Sequence, residues 1–102
     1  MIRFVEVKNE TEFNSRLERT AQLNFTLGEV WINEKYVVEV RSAGGYEKLL
    51  AEGRLPADLS PTHKFTAITL NQGNGTETHI VVGDATTVAQ RLSPDEKRLL
   101  KG

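Results

Sequence analysis

The chain contains no cysteine, which removes disulfide frameworks, thiol nucleophiles and thiolate metal sites together and fits a reducing compartment. Stability must then come from packing and hydrogen bonding. No apolar run approaches the roughly 20 residues of a membrane span, and Met1-Ile2-Arg3-Phe4-Val5-Glu6 carries charge where a secretory signal needs a hydrophobic stretch. A cytoplasmic protein with no membrane partner is expected. Neither sign of charge dominates: 13 Lys and Arg stand against 14 Asp and Glu, leaving a formal charge of -1. That balance supplies neither the basic field of a nucleic-acid binder nor an acidic surface that mimics DNA. Aromatic residues, at 7%, are also sparse for a base-stacking platform.

Reaction motifs are missing as well. His63 and His79 have no HxH, HxxxH or HExxH companion, so no metal site is announced. Serine, histidine and aspartate all occur, but no G-x-S-x-G elbow presents a nucleophile and no G-x-x-x-x-G-K-[ST] loop cradles a phosphate. Glu29, Glu34 and Glu39 lie in or between strand-like runs. Two of them on one sheet face would divide acid and base duties only if burial separated their proton affinities, whereas solvent-facing ion pairing is the ordinary fate of strand acids. His79 reads as a half-exposed cross-strand neighbour, and His63 as a solvent-titrating group after a proline turn. Neither an enzyme nor a cofactor is expected.

What is present describes one small folded unit. A chain of 102 residues is long enough for one core and too short for two, so residues 1–102 are read as a single domain. With 38% hydrophobic and 26% charged residues, the composition is that of an ordinary globular protein. The fold class expected is α+β: a mainly antiparallel sheet of four or five strands with two or three short helices on one face.

Element by element, Ile2–Val7 is rich in β-branched and aromatic residues and reads as a strand. Asn9 and Glu12 resemble a capping box, and Phe13, Leu17 and Ala21 repeat along one helical face, predicting a helix from Glu10 to about Gln22. Phe25–Ile32 and Lys35–Arg41 read as strands joined in a hairpin at Asn33-Glu34, with Tyr36, Val38 and Val40 turned to the core. Ser42 is expected to cap a short helix over residues 45–52 that carries Tyr46, Leu49 and Leu50 and closes at Gly53. The two prolines of Arg54–Pro61 bar regular structure, and Leu55 and Leu59 would pin that loop to the body. Lys64–Asn71 and Thr76–Val82 flank Gln72-Gly73-Asn74-Gly75, a tight reversal. Gly83 ends that strand, Asp84 caps, and Ala85, Val88, Ala89 and Leu92 form the packing face of a further helix. Residues 93–102 restart helical chemistry at Ser93-Pro94 as a short or frayed C-terminal helix.

Two surfaces qualify as candidate sites. Trp31 and Tyr36 flank the Asn33-Glu34 reversal and, with Leu55 and Leu59 of the long loop, make a candidate protein-interaction surface, although core packing is the commoner fate of a lone tryptophan. Gly44 and Gly45 open a helix whose amides would face an anion, with Ser42, Arg41 and Arg54 as polar and cationic neighbours. Flexible glycines at such a turn are more often simple geometry.

Ile32-Asn33 leading into Tyr36-Val37-Val38-Glu39-Val40, then Phe65-Thr66-Ala67-Ile68-Thr69-Leu70-Asn71, then Ile80-Val81-Val82, with Val88 and Leu92 beyond, resembles the small FlbD-like proteins of bacterial motility operons. The resemblance rests on strand patterning over about the C-terminal two thirds of the chain. The N-terminal strand and helix and the Gly44–Thr62 segment depart from the family pattern. The resemblance implies a small bacterial or bacteriophage protein that works by binding, and it brings no catalytic residues. The function expected is therefore a non-catalytic cytoplasmic interaction or regulatory protein, acting on another protein or on itself as a homodimer. The alternatives are a small-ligand or nucleotide-anion binding module using the Ser42–Tyr46 turn, and a nucleic-acid binder.

Overall fold

The computed structural model describes residues 1–9 and 25–93. The helix expected over Glu10–Gln22 and the tail expected beyond Ser93 lie outside the described residues. Five strands form one antiparallel sheet: β1 (Ile2–Asn9), β2 (Phe25–Ile32), β3 (Val37–Ser42), β4 (Phe65–Asn71) and β5 (Thr76–Val82), in the order β2-β1-β5-β4-β3. Two helices accompany it, α1 (Gly44–Ala51) and α2 (Ala85–Leu92). The α+β class, the antiparallel sheet and the strand positions follow the sequence pattern.

The β4–β5 hairpin turns where the sequence demands it. Gly73 and Gly75 take φ of 98° and 117°, values that L side chains resist, and the Asn71 side chain accepts from the Gly73 amide at 2.9 Å. Helix α1 stops at Gly53, with φ of 72°. There the Gly53 amide donates to the Leu50 carbonyl and the Arg54 amide to the Leu49 carbonyl, the paired bonds of a Schellman ending. Helix α2 begins at Asp84, whose carboxylate accepts from the Thr87 amide at 2.8 Å.

Four expectations are corrected. First, β2 and β3 do not form a hairpin: β2 pairs with β1 along its whole length, from Ile2 opposite Ile32 to Asn9 opposite Phe25, and β3 pairs with β4. The segment between them is a 3-10 turn, Glu34–Tyr36, capped by the Asn33 side chain on the Lys35 amide, and it links opposite edges of the sheet. Four strand spacings of about 4.8 Å make ~19 Å, more than the five residue steps from Ile32 to Val37 span at about 3.5 Å each, so the sheet must coil. Ile32 and Val37 accordingly pack in the same cluster.

Second, Tyr36 and Val38 do not face the core. They are exposed, while Val37 and Val40 pack inward. The register of β3 on β4 shifts between Val37 and Glu39, and this bulge adds a residue that changes the parity of the inward positions. Third, Ser42 is the last residue of β3 and does not cap α1; Ala43 occupies that position with no side-chain cap.

Fourth, the helices cover opposite faces. Alternate residues of one strand point to opposite sides, and β1, β4 and β5 each contribute to two separate cores. Phe4, Ile32, Ile68, Leu70 and Val81 pack under Val88 and Leu92 of α2. Val7 and Phe65 pack with Leu55 under Tyr46, Leu49 and Leu50 of α1, joined by Leu59. Tyr46 spans this second core, its ring 6.0 Å from that of Phe25 and 6.2 Å from that of Phe65. A central sheet buried on both sides gives more strand residues an inward role than a one-sided sheet does. Each such Val, Leu, Ile or Phe contributes roughly 1.5–3 kcal/mol.

Candidate functional site

Neither helix covers the whole of its face. On the α1 side, the paired ends of β1 and β2 stay open. Trp31 lies opposite Arg3 and Val5 opposite Glu29 in the ladder, with Trp31 58% and Val5 39% exposed. The Arg3 guanidinium reaches diagonally to the Glu29 carboxylate. Val5 and Trp31 are thus two exposed apolar side chains on adjacent strands, at the corners of the ladder that the Arg3–Glu29 ion pair separates. Tyr36, at the end of the 3-10 turn, and Val38, at the bulge of the opposite edge strand, are exposed as well. Leu55 is buried and Leu59 is partly buried in the second core, so of the four residues proposed for an interaction surface, Trp31 and Tyr36 reach solvent. Val5 is exposed on the same face as Trp31, a placement that depends on the β1–β2 register and that sequence reasoning did not single out.

The residues of the proposed anion site are dispersed. Gly44 and Gly45 open α1 and are exposed, whereas Arg54 lies past the other end of the helix, facing Glu52 at 4.0 Å. Arg41 is engaged by Glu39 on its own strand. Ser42 borders a cleft of about 360 Å³ between the starts of both helices, together with Glu47, Lys64, Phe65, Asp84 and Thr86. Lys64 is paired there with Glu47 at 3.3 Å, and the Thr87 amide and hydroxyl donate to Asp84 and hold its carboxyl below the ordinary aspartate value. Two carboxylates against one ammonium make this cleft a poor host for an anion.

The three strand-associated acids are likewise kept apart. Glu29 serves Arg3, Glu39 serves Arg41, and Glu34 lies 3.6 Å from the Met1 amine. They form no acid–base pair.

On the α2 side the uncovered corner is polar. Glu6 of β1 and His79 of β5 project from neighbouring strands, and the His79 ring touches a carboxylate on each side: Nδ1 lies 2.5 Å from Glu6 Oε2 and Nε2 lies 2.6 Å from Glu77 Oε1. The Glu6 and His79 side chains are only 15% and 16% exposed, whereas Glu77 is 65% exposed. Lys8 folds over Gly28, the residue opposite Glu6, with its chain 3.2 Å from where a Cβ would stand. His79 is therefore held more firmly than a half-exposed strand neighbour. The Glu77-x-His79 spacing places both on one strand face and was legible in the sequence; Glu6, 73 residues away, was not. Because the carboxylates occupy opposite ring nitrogens, the three groups do not converge on a point, and among the described residues no cluster is arranged to hold a metal ion. His63 is tied locally, its Nδ1 accepting from the Ser60 amide at 2.9 Å.

No protein-family model, characterised protein or solved structure matches this chain. Its function must be read from these surfaces. No helix among the described residues is long and apolar enough to cross a membrane.

Proposed function

We propose that this chain is a non-catalytic interaction or regulatory protein of bacterial or bacteriophage origin, working in the cytoplasm by binding another protein or a second copy of itself. The observation that carries this reading is Trp31, 58% exposed on the terminal strand β2, with the exposed Val5 diagonal to it on the same face of β1. A tryptophan left in solvent forgoes the burial that large aromatic side chains usually obtain, and tryptophan is enriched among residues that anchor protein interfaces. The position of β3 at the end of the sheet adds support, since a terminal strand offers backbone donors and acceptors to a partner. The resemblance to FlbD-like proteins points the same way.

Multi-angle light scattering across a concentration series, on the wild-type chain and on Trp31→Ala, tests the reading. A wild-type dimer that Trp31→Ala returns to monomer assigns the patch to self-association. A wild-type monomer removes self-association and leaves a different protein as the partner. Thermal stabilisation by inorganic phosphate or a nucleotide, with no association of any kind, would instead favour an anion-binding module.

A further inference from the structure

Strand β3 ends the sheet, and its backbone groups sort into two sets. The Ala43 amide donates to the Phe65 carbonyl at 2.9 Å, and the same antiparallel register runs back through Arg41 opposite Ala67 and Glu39 opposite Thr69. In such a ladder, hydrogen-bonded pairs alternate with pairs whose amides and carbonyls point away. Glu39, Arg41 and Ala43 therefore direct their backbone groups to β4, whereas Val40 and Ser42 turn theirs to the outer edge. The bulge between Val37 and Glu39 confines the regular part of that edge to Glu39–Ser42. Glu39 and Arg41 project there from one face, 46% and 67% exposed and in contact with each other.

Charge of one sign on an edge strand repels a second copy; here the two signs stand two residues apart. A second β3 laid antiparallel against this edge must match outward-turned residues with outward-turned residues, which leaves few registers. With Val40 opposite Val40, Glu39 of each copy stands opposite Arg41 of the other, twice by symmetry, in the non-hydrogen-bonded pairs where side chains approach most closely. In the next register to either side, Arg41 meets Arg41 or Glu39 meets Glu39, and like charges directly opposite are destabilising. The two Val40 residues would exchange both backbone bonds, and a two-fold axis between them, perpendicular to the sheet, builds the contact from identical surfaces. We propose that this chain self-associates through β3 as an antiparallel two-fold dimer centred on Val40, its register selected by Glu39–Arg41 ion pairs across the axis. The inference rests on the reading of the chain as a binding protein and names the partner, a second copy, and the strand it uses.

Sedimentation equilibrium of the full chain over a concentration series, with far-ultraviolet circular dichroism as the folding control, tests this. The wild type should dimerise. Arg41→Glu and Glu39→Arg each place two like-charge contacts across the axis and should raise the dimer Kd about tenfold or more. The double variant Glu39→Arg/Arg41→Glu puts opposite charges back across the axis and should dimerise as the wild type does. Amide hydrogen exchange reads the register: protection at Val40 should rise with protein concentration, while that at Arg41, already bonded to β4, should stay level. A wild type that remains monomeric at every concentration overturns the β3 dimer and leaves another protein as the partner. A dimer that Trp31→Ala dissolves and Arg41→Glu does not also overturns it, and moves self-association to the Trp31 patch. A double variant that associates as weakly as the single ones overturns it too, because charge then selects no register.

Discussion

The Thr66 hydroxyl donates to the Gly83 carbonyl at 2.7 Å, and Thr66 is the one fully buried polar side chain among the described residues. This bond ties β4 to the junction at which β5 gives way to α2. The Gly83 amide is engaged in turn by the Lys64 carbonyl at 2.8 Å. Thr66→Val keeps the shape and removes the donor, leaving the carbonyl short of its partner. A loss of about 1–2 kcal/mol is expected, measured by urea unfolding followed by far-ultraviolet circular dichroism. Thr66→Ser, which retains the hydroxyl, should lose less.

Gly83 itself admits no ordinary side chain. Its φ of 132° lies where L residues are strained, and an added Cβ would stand 3.2 Å from Val88 Cγ2 in the core. Gly83→Ala should therefore cost about 1–3 kcal/mol. At Gly45, where a Cβ meets no atom within 4 Å and the backbone is helical, the same substitution should be neutral or stabilising by under about 1 kcal/mol. Parallel denaturant titrations of the two variants would separate backbone strain from simple loss of flexibility.

Local chemistry was legible in the sequence and long-range pairing was not. The Gly73 and Gly75 turn, the Asp84 cap and the Gly53 ending each follow from residues within a few positions of one another. The placement of β2 and β3 on opposite edges depends on β1 entering between β2 and β5, a choice no local pattern encodes. The bulge at Val37/Glu39 is hidden for a related reason: Tyr36-Val37-Val38-Glu39-Val40 alternates well enough to suggest an unbroken strand, and only the pairing with β4 reveals the extra residue. Of the candidate sites, Trp31 and Tyr36 were found as side chains, but that Trp31 lies opposite Arg3, and that His79 meets Glu6, is a consequence of register.

Asp84 gives a pH dependence whose sign is fixed. The Thr87 amide, foremost, and the Thr87 hydroxyl donate to its carboxylate and lower its proton affinity in the folded state. The cap is therefore fully effective above the unfolded carboxyl value of about 3.9, and its contribution is lost as pH falls through the lower folded value. Asn caps helices nearly as well but does not titrate. Melting wild type and Asp84→Asn in parallel from pH 5 to pH 2 should show the wild type losing more stability over that interval; identical acid profiles would remove the cap from the account.

Trp31 and Phe4, aromatic residues on adjacent strands, should respond oppositely to truncation. Phe4 is 2% exposed, packs under α2 and lies 4.4 Å below the Arg91 guanidinium. Phe4→Ala leaves a cavity in the first core and should cost about 3–5 kcal/mol, a large part of the 5–15 kcal/mol that holds a typical domain together. Trp31 faces the other side of the sheet, with more than half its surface in solvent. Trp31→Ala should change the unfolding free energy of the monomer by no more than about 0.5 kcal/mol. Unfolding measured at low protein concentration isolates the monomer's stability, and repeating it at high concentration adds any self-association. A Trp31→Ala penalty that appears only at high concentration would mean that the residue is retained for an interface between copies. A large penalty already present in the dilute monomer would mean that Trp31 supports the fold, and the proposed binding surface would lose its anchor.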